Sequence, residues 1–258
     1  MMGILNVTPD SFYANSRLSS TNAVVQKAAT MLADGADLLD VGGYSTRPGA
    51  AQVSVQEETD RVIPAIEAIL QHFPEAVISV DTFRADVAEA AVQAGAAIIN
   101  DVGGGTLDAA MFETVARLQV PYILMHMRGT PETMSSLTDY DDVVLDVFDD
   151  LQHKVAALTR LGVKDIILDP GFGFAKTIDQ NFELLNRLDT FRMLELPILA
   201  GLSRKSMTYK SLGIDQSEAL AGTIALNTFA LTKGADILRV HDVKEAKQTI
   251  QLYIKTTH

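Results

Sequence analysis

An alternation runs the length of this chain and leaves it few folds to choose from. Eight short runs rich in Ile, Val and Leu recur, each followed by a polar or glycine-rich stretch and then by a longer segment of helical spacing. That order is the signature of βα units. The pattern predicts strands over Met2–Asn6, Leu38–Gly42, Ala76–Asp81, Ala97–Val102, Pro121–Met125, Asp165–Asp169, Pro197–Gly201 and Asp236–Val240. Little in/out alternation marks these runs, as expected of parallel strands covered on both faces. Helices are expected near Thr21–Asp34, Glu57–His72, Arg84–Ala94, Asp108–Leu118, Tyr140–Leu161, Gln180–Leu188, Ser217–Thr232 and Val243–Ile254. Three of them end alike, in Gly35-Ala36-Asp37, Gly95-Ala96-Ala97 and Gly234-Ala235-Asp236, with glycine placed for a left-handed cap before a strand. Eight strands and eight helices in about 250 residues match a single (β/α)8 TIM barrel, with a doubly wound open sheet as the structural alternative. No linker or low-complexity tract interrupts the pattern, so one domain over residues 1–258 is expected.

Composition narrows the function. With 21 Lys+Arg against 33 Asp+Glu the formal charge is −12, which lacks the basic footprint of a nucleic-acid binder. No apolar run approaches the ~18–20 residues of a membrane-spanning helix. Cysteine is absent, which removes disulfides, cysteine nucleophiles and cysteine-ligated metals together. Nothing at the N-terminus reads as a secretory signal, and the expected compartment is the cytoplasm. The acidic cluster Asp139, Asp141, Asp142, Asp146, Asp149 and Asp150 is expected to be the solvated face of a long helix.

Barrels of this kind carry their sites at the C-terminal ends of the strands, and those ends are polar here. They hold Asn6, Asp81, Asn100-Asp101, His126, Asp169 and Arg239-Val240-His241-Asp242, while strand 7 runs into Ser203-Arg204-Lys205-Ser206. Asp81, Asp169 and Asn100 form a set of acceptors and donors able to read the edge of a polar heterocycle. Taken alone, each is better read as a cap of the following helix. Asp169 is different, because Pro170-Gly171-Phe172-Gly173-Phe174 follows it: glycines let backbone approach a ligand, and Phe174 could cover a flat face. Arg47, Arg204, Lys205, Arg239 and His241 gather at the same end and suggest an anionic substrate group; Arg239 and His241 point the same way from one strand and either grip a phosphate together or are a pair of surface charges on a loop. Gly103-Gly104-Gly105 is either a phosphate-binding loop or a sharp turn. His126, between Met125 and Met127, is expected to be a packed, hydrogen-bonded core residue.

Seven segments taken in order carry a resemblance: Asn6–Phe12, Ser45–Gly49, Asp81-Thr82, Asn100–Val102, Asp169–Phe174, Ser203–Ser206 and Arg239–Asp242. Together they resemble the dihydropteroate synthases, pterin-binding (β/α)8 barrels that join p-aminobenzoate to 6-hydroxymethyl-7,8-dihydropterin pyrophosphate in folate synthesis and are the target of sulfonamides. The resemblance implies that Asp81, Asn100, Asp169 and Lys205 bind the pterin ring, that Met125 and Phe174 pack against it, and that Asn6 is a Mg²⁺ ligand. It implies that Arg239 and His241 form the pyrophosphate pocket with Thr46 and Arg47, and that Phe12, Pro48 and Ser206 lie on the p-aminobenzoate side. Catalysis would be assigned to Asp81, Asp169, Lys205, Arg239 and His241, with Mg²⁺ as cofactor, no protein nucleophile, and a homodimer as the assembly. The loops Thr8–Ser20 and Tyr44–Val55 are candidate lids. Three positions depart from the family pattern: Tyr44 stands for the usual Glu, Gly103 for Ser, and Ala14 for a loop acid, leaving Asn6 and Asp10 for the metal. The alternatives are a pterin-binding methyltransferase domain serving a corrinoid protein, or a non-catalytic pterin-binding paralogue. Lys205 and the Arg239/His241 pair favour the synthase, because a pyrophosphate leaving group demands cations and a methyl group does not.

Overall fold

The computed structural model describes residues 1–7, 17–44 and 53–257, with 17–20 as backbone only. The strands are β1 Met2–Asn6, β2 Leu38–Gly42, β3 Ile78–Asp81, β4 Ile98–Asp101, β5 Tyr122–Met125, β6 Ile166–Asp169, β7 Leu199–Ala200 and β8 Ile237–Val240. All pair in parallel, in the order β6-β5-β4-β3-β2-β1-β8-β7. The two ends of that order meet through a single bridge between Leu168 and Ile198, with Leu168 N–H donating to Pro197 C=O at 2.8 Å. A nearly closed barrel results, so the barrel reading holds over the open sheet.

The helices are α1 Arg17–Ala33, α2 Val55–His72, α3 Ala85–Gln93, α4 Met111–Leu118, α5 Val143–Arg160, α6 Ile178–Asn186, α7 Ser206–Leu212, α8 Leu220–Thr232 and α9 Val243–Thr257. Their boundaries follow local chemistry. Ser54 and Glu57 make a capping box at the start of α2, and Thr177 and Gln180 make another at α6. Gly35, Gly95 and Gly234 have φ of 97°, 109° and 94°, the expected left-handed caps. α5 begins at Val143, three residues later than expected, because Asp142 accepts from the N–H groups of Val144 and Leu145. The acidic cluster around it is more than a solvated face: Asp142 pairs with Arg187, Asp146 with Arg128 and Asp150 with Lys154. α7 was not expected from the sequence, and α8 opens at Leu220 rather than Ser217.

Inside the barrel the residues fall in layers, since every second side chain of a strand faces the same way. Met2, Leu38, Ile98, Ile123, Ile167, Leu199 and Ile237 pack together as an apolar floor. Two residues further along β2, β4, β5, β6 and β8 stand Asp40, Asn100, Met125, Asp169 and Arg239. The barrel is thus apolar below and charged above. The outward-facing residues of the strands, such as Leu39, Val41, Val80, Ile99, Leu124 and Leu168, form the main core with the helices. No helix among the described residues is long and apolar enough to cross a membrane.

Candidate active site

Arg239 is the centre of the upper layer. Its Nε donates to Asp40 at 2.6 Å and its Nη2 to Asp81 at 2.5 Å, while Asn100 Nδ2 donates to the same Asp40 oxygen at 3.1 Å. Asp40 is fully buried and its second oxygen has no hydrogen-bond partner among the described residues. Two carboxylates share one guanidinium. Burial, against the opposing pull of Arg239 and with the further push of Asp40, raises Asp81 to about 7. Neither Asp81 nor Asn100 caps a helix, so the capping reading fails for both; the first N–H of α3, that of Ala85, donates instead to Asp108 at 2.8 Å. The expected phosphate grip of Arg239 is also altered, because two of its nitrogens are committed inside the barrel; only Nη1 makes no hydrogen bond among the described residues.

Asp169, at the end of β6, accepts from Gly171 N–H at 2.8 Å through Oδ1. Burial raises its carboxyl above the usual carboxylate range, opposed chiefly by Lys205. Lys205 donates to Phe172 C=O and lies 4.7 Å over the Phe174 ring. Burial lowers its ammonium to about 8, although Asp169 pulls the other way. Met125 and Phe174 share one small apolar cluster with Val102, Met127 and Ala175. The structure therefore brings Asp81, Asn100, Asp169, Lys205, Arg239, Met125 and Phe174 to one mouth. Ser206 opens α7 directly after Lys205, and the backbone N–H of His241 donates to Ser203 Oγ at 3.2 Å. Asn6 ends β1, half-buried, with its carboxamide making no hydrogen bond among the described residues. Phe12, Thr46, Arg47 and Pro48 lie outside the described residues, as do Asp10 and Ala14.

Other expectations resolve. Arg204 is a structural residue: it forms a two-pronged ion pair with Asp242 at 2.9 Å for each contact, and donates to the carbonyls of Gln216 and Ser217. Gly103-Gly104-Gly105 is a turn. Asp101 accepts from the N–H groups of Gly103 and Gly105, both at 2.7 Å, and a Cβ on Gly104 would fall 2.1 Å from Met125 C=O. His126 is buried and hydrogen-bonded, as expected, and burial drives its imidazole down to about 2. Tyr44 stacks edge-on against Phe83 at 5.1 Å, with the Arg84 guanidinium over both rings. Arg84 in turn holds the buried Glu58 at 2.7 Å and Val53 C=O at 2.6 Å. Asp40 was missed by sequence reasoning; its one signal is a lone carboxylate inside the apolar run Leu38-Leu39-Asp40-Val41. Lys176 and Asn181, which brace the Asp169 loop, gave no signal.

A family model described as pterin binding enzyme matches residues 2–241. The dihydropteroate synthase of Escherichia coli strain K12 is 45% identical over 254 residues, covering 98% of this chain and 89% of that protein. The chain belongs to the dihydropteroate synthase family. Among solved dihydropteroate synthases, that of Clostridium difficile, determined in the presence of pteroic acid, superposes with a TM-score of 0.92 at 39% identity, covering 99% of this chain and 95% of its own. The Yersinia pestis dihydropteroate synthase, in a sulfonamide drug complex, gives 0.92 at 41% identity, covering 99% and 93%. As a dihydropteroate synthase the chain is a transferase of folate synthesis, condensing 6-hydroxymethyl-7,8-dihydropterin pyrophosphate with p-aminobenzoate to dihydropteroate and pyrophosphate. These relatives support the synthase over the methyltransferase and the non-catalytic alternatives.

Proposed function

We propose that the condensation proceeds here as a dissociative substitution, with the pterin seated between Asp169 and the Asp40–Arg239–Asp81 group. The observation that carries this reading is that ring of buried acids and bases at the strand ends, which has acceptors still open. Asp169 has one oxygen free of protein donors and Asn100 has its Oδ1 free, among the described residues, so the two can take the 2-amino and N3 donors of the ring. Lys205 stands beside Asp169, and Phe174 and Met125 offer apolar surface to the ring faces. As the pyrophosphate leaves, the methylene carbon becomes cationic, and the preorganised carboxylates of Asp81 and Asp169 stabilise it. The neutral aromatic amine then attacks that carbon and loses its proton. Arg239 through Nη1, with His241, Thr46 and Arg47, is assigned to the departing anion. Phe12, Pro48 and Ser206 are assigned to p-aminobenzoate, and sulfonamides would compete at that subsite.

Mg²⁺ fits the donors present. No group of three or more His, Cys, Asp or Glu able to hold a metal occurs among the described residues, while Asn6 offers one hard oxygen at the mouth. An amide oxygen is a donor of the kind Mg²⁺ takes beside water and substrate phosphate oxygens. When bound it would neutralise charge on the leaving pyrophosphate.

Residues 1–258 are inferred to fold as one domain in the cytoplasm. A homodimer through α8 is supported by that helix, which carries no charged residue and leaves Ala221, Ala225, Thr228 and Phe229 exposed along one stripe.

The test is direct: incubate the protein with dihydropterin pyrophosphate, p-aminobenzoate and Mg²⁺ and measure dihydropteroate. Asp169→Asn should leave the urea transition in place but weaken a pterin analogue by roughly 1–3 kcal/mol in calorimetry, since the amide leaves one ring N–H unpaired. Unchanged affinity removes Asp169 from the site.

A further inference from the structure

Behind the loop that follows Asp169 lies an amine that none of these roles uses. Lys176 Nζ sits 3.0 Å from each of three groups: Gly171 C=O, Phe174 C=O and His126 Nδ1. His126 ties back to the same place, because its backbone N–H donates to Asp169 C=O at 2.9 Å. The loop is also held elsewhere. Gly173 N–H donates to the buried Asn181 at 2.6 Å, and Tyr140 OH donates to Ala175 C=O at 2.9 Å. Gly171 needs its φ of +73° and its bare Cα, since a Cβ there would meet His126 C=O at 2.0 Å. Ala175 adopts φ +49° with only 2% of its surface exposed, a conformation that is unfavourable for an L-residue and persists only where the surroundings impose it.

We propose that Lys176 is a positioning residue for the pterin half of the site, its amine clamping Gly171, Phe174 and His126 so that the Asp169 carboxylate and the Phe174 ring are held at fixed aim. The proposal rests on the reading of Asp169 as the ring-edge acceptor. The three partners match the amine's valence. A charged lysine donates to two carbonyls and to an unprotonated Nδ1; a neutral lysine donates to the two carbonyls and accepts from Nδ1–H after a change of imidazole tautomer. Burial lowers Lys176 to about 7, and His126 is neutral throughout the working range, so both arrangements lie within reach, and each keeps the amine, the two carbonyls and Nδ1 paired. Among the described residues, every hydrogen bond of the amine is to the loop or to the residue that follows β5. Arg239 and His241, assigned to the anion, are not among them.

The clamp should therefore separate the two halves of the substrate. In calorimetry, Lys176→Met is expected to weaken 6-hydroxymethylpterin at least ten-fold while inorganic pyrophosphate with Mg²⁺ binds within two-fold of the unaltered enzyme. KM for dihydropterin pyrophosphate should rise more than kcat falls. A pterin affinity within two-fold of the unaltered enzyme, or equal losses for both ligands in a protein with an intact urea transition, overturns the proposal. Asp169→Asn is measured alongside: if it binds pterin normally, the site reading fails and takes the clamp with it; if it loses pterin while Lys176→Met does not, the clamp alone fails. Should Lys176→Met not fold, His126→Leu, which deletes one of the three partners, is expected to weaken 6-hydroxymethylpterin three-fold or more, and no change there is equally fatal.

Discussion

Asp40 is a carboxylate in the middle of a buried strand, 199 positions from the arginine that holds it. Such pairs contribute little over an apolar replacement but are costly to break. Asp40→Asn keeps the shape and removes the charge, leaving Arg239 with one carboxylate partner instead of two. Stability should fall by roughly 1–3 kcal/mol, read as an earlier denaturant midpoint at constant slope. A loss below half a kcal/mol would mean that Asp81 alone suffices. Lys176 has a different signature. Its folded value of about 7 lies below the ordinary lysine value of 10.5, so between those values the unfolded chain binds a proton that the folded chain does not. Stability should thus rise with pH across that window through this residue. The difference in stability between the unaltered chain and Lys176→Met should therefore shift toward the unaltered chain as pH rises from 7 to 10, and a pH-independent difference refutes the assignment.

At the scale of elements, the strands and most helices were legible because their signals are local. A buried parallel strand reads as an unbroken apolar run, and a glycine before it marks where the helix must stop. Asp81, Asn100, Asp169, Lys205 and Arg239 were legible for the same reason, since each follows or ends such a run. What stayed hidden depends on partners far away in sequence. Ser206–Leu212 is too short for its periodicity to show, and the glycine triplet could be assigned to a turn only once Met125 was known to press against it. Nothing in the sequence around Lys176 sets it apart from an ordinary loop lysine. α8 tests the assembly: its sequence, Leu220-Ala-Gly-Thr-Ile-Ala-Leu-Asn-Thr-Phe-Ala-Leu-Thr232, is uncharged on every face. If α8 carries the proposed homodimer interface, Phe229→Glu should give a monomer in sedimentation at micromolar concentration where the unaltered chain gives a dimer, without altering the far-ultraviolet spectrum. An unchanged sedimentation coefficient moves the interface elsewhere.

For the molecule as a whole, an acidic chain keeps several of its cations, Arg239, Lys205 and Lys176, at one end of a barrel whose other end is plain hydrocarbon. That division puts the chemistry where one joint of the hoop is weakest. β7 has two residues and meets β6 by one bridge, and Asp169 and Lys205 stand on opposite sides of the gap. Lys205 reaches across it to Phe172. A ligand that touches both residues is therefore a rivet: it would supply across β6 and β7 the bonds that the short ladder lacks. Occupancy by dihydropteroate should slow deuterium uptake at the amides of Leu199 and Ala200, far more than at β2 or β3, whose neighbours already hold them. If exchange at β7 is indifferent to the product, the joint is closed without it; if it slows, the enzyme completes its own wall each time it fills its site.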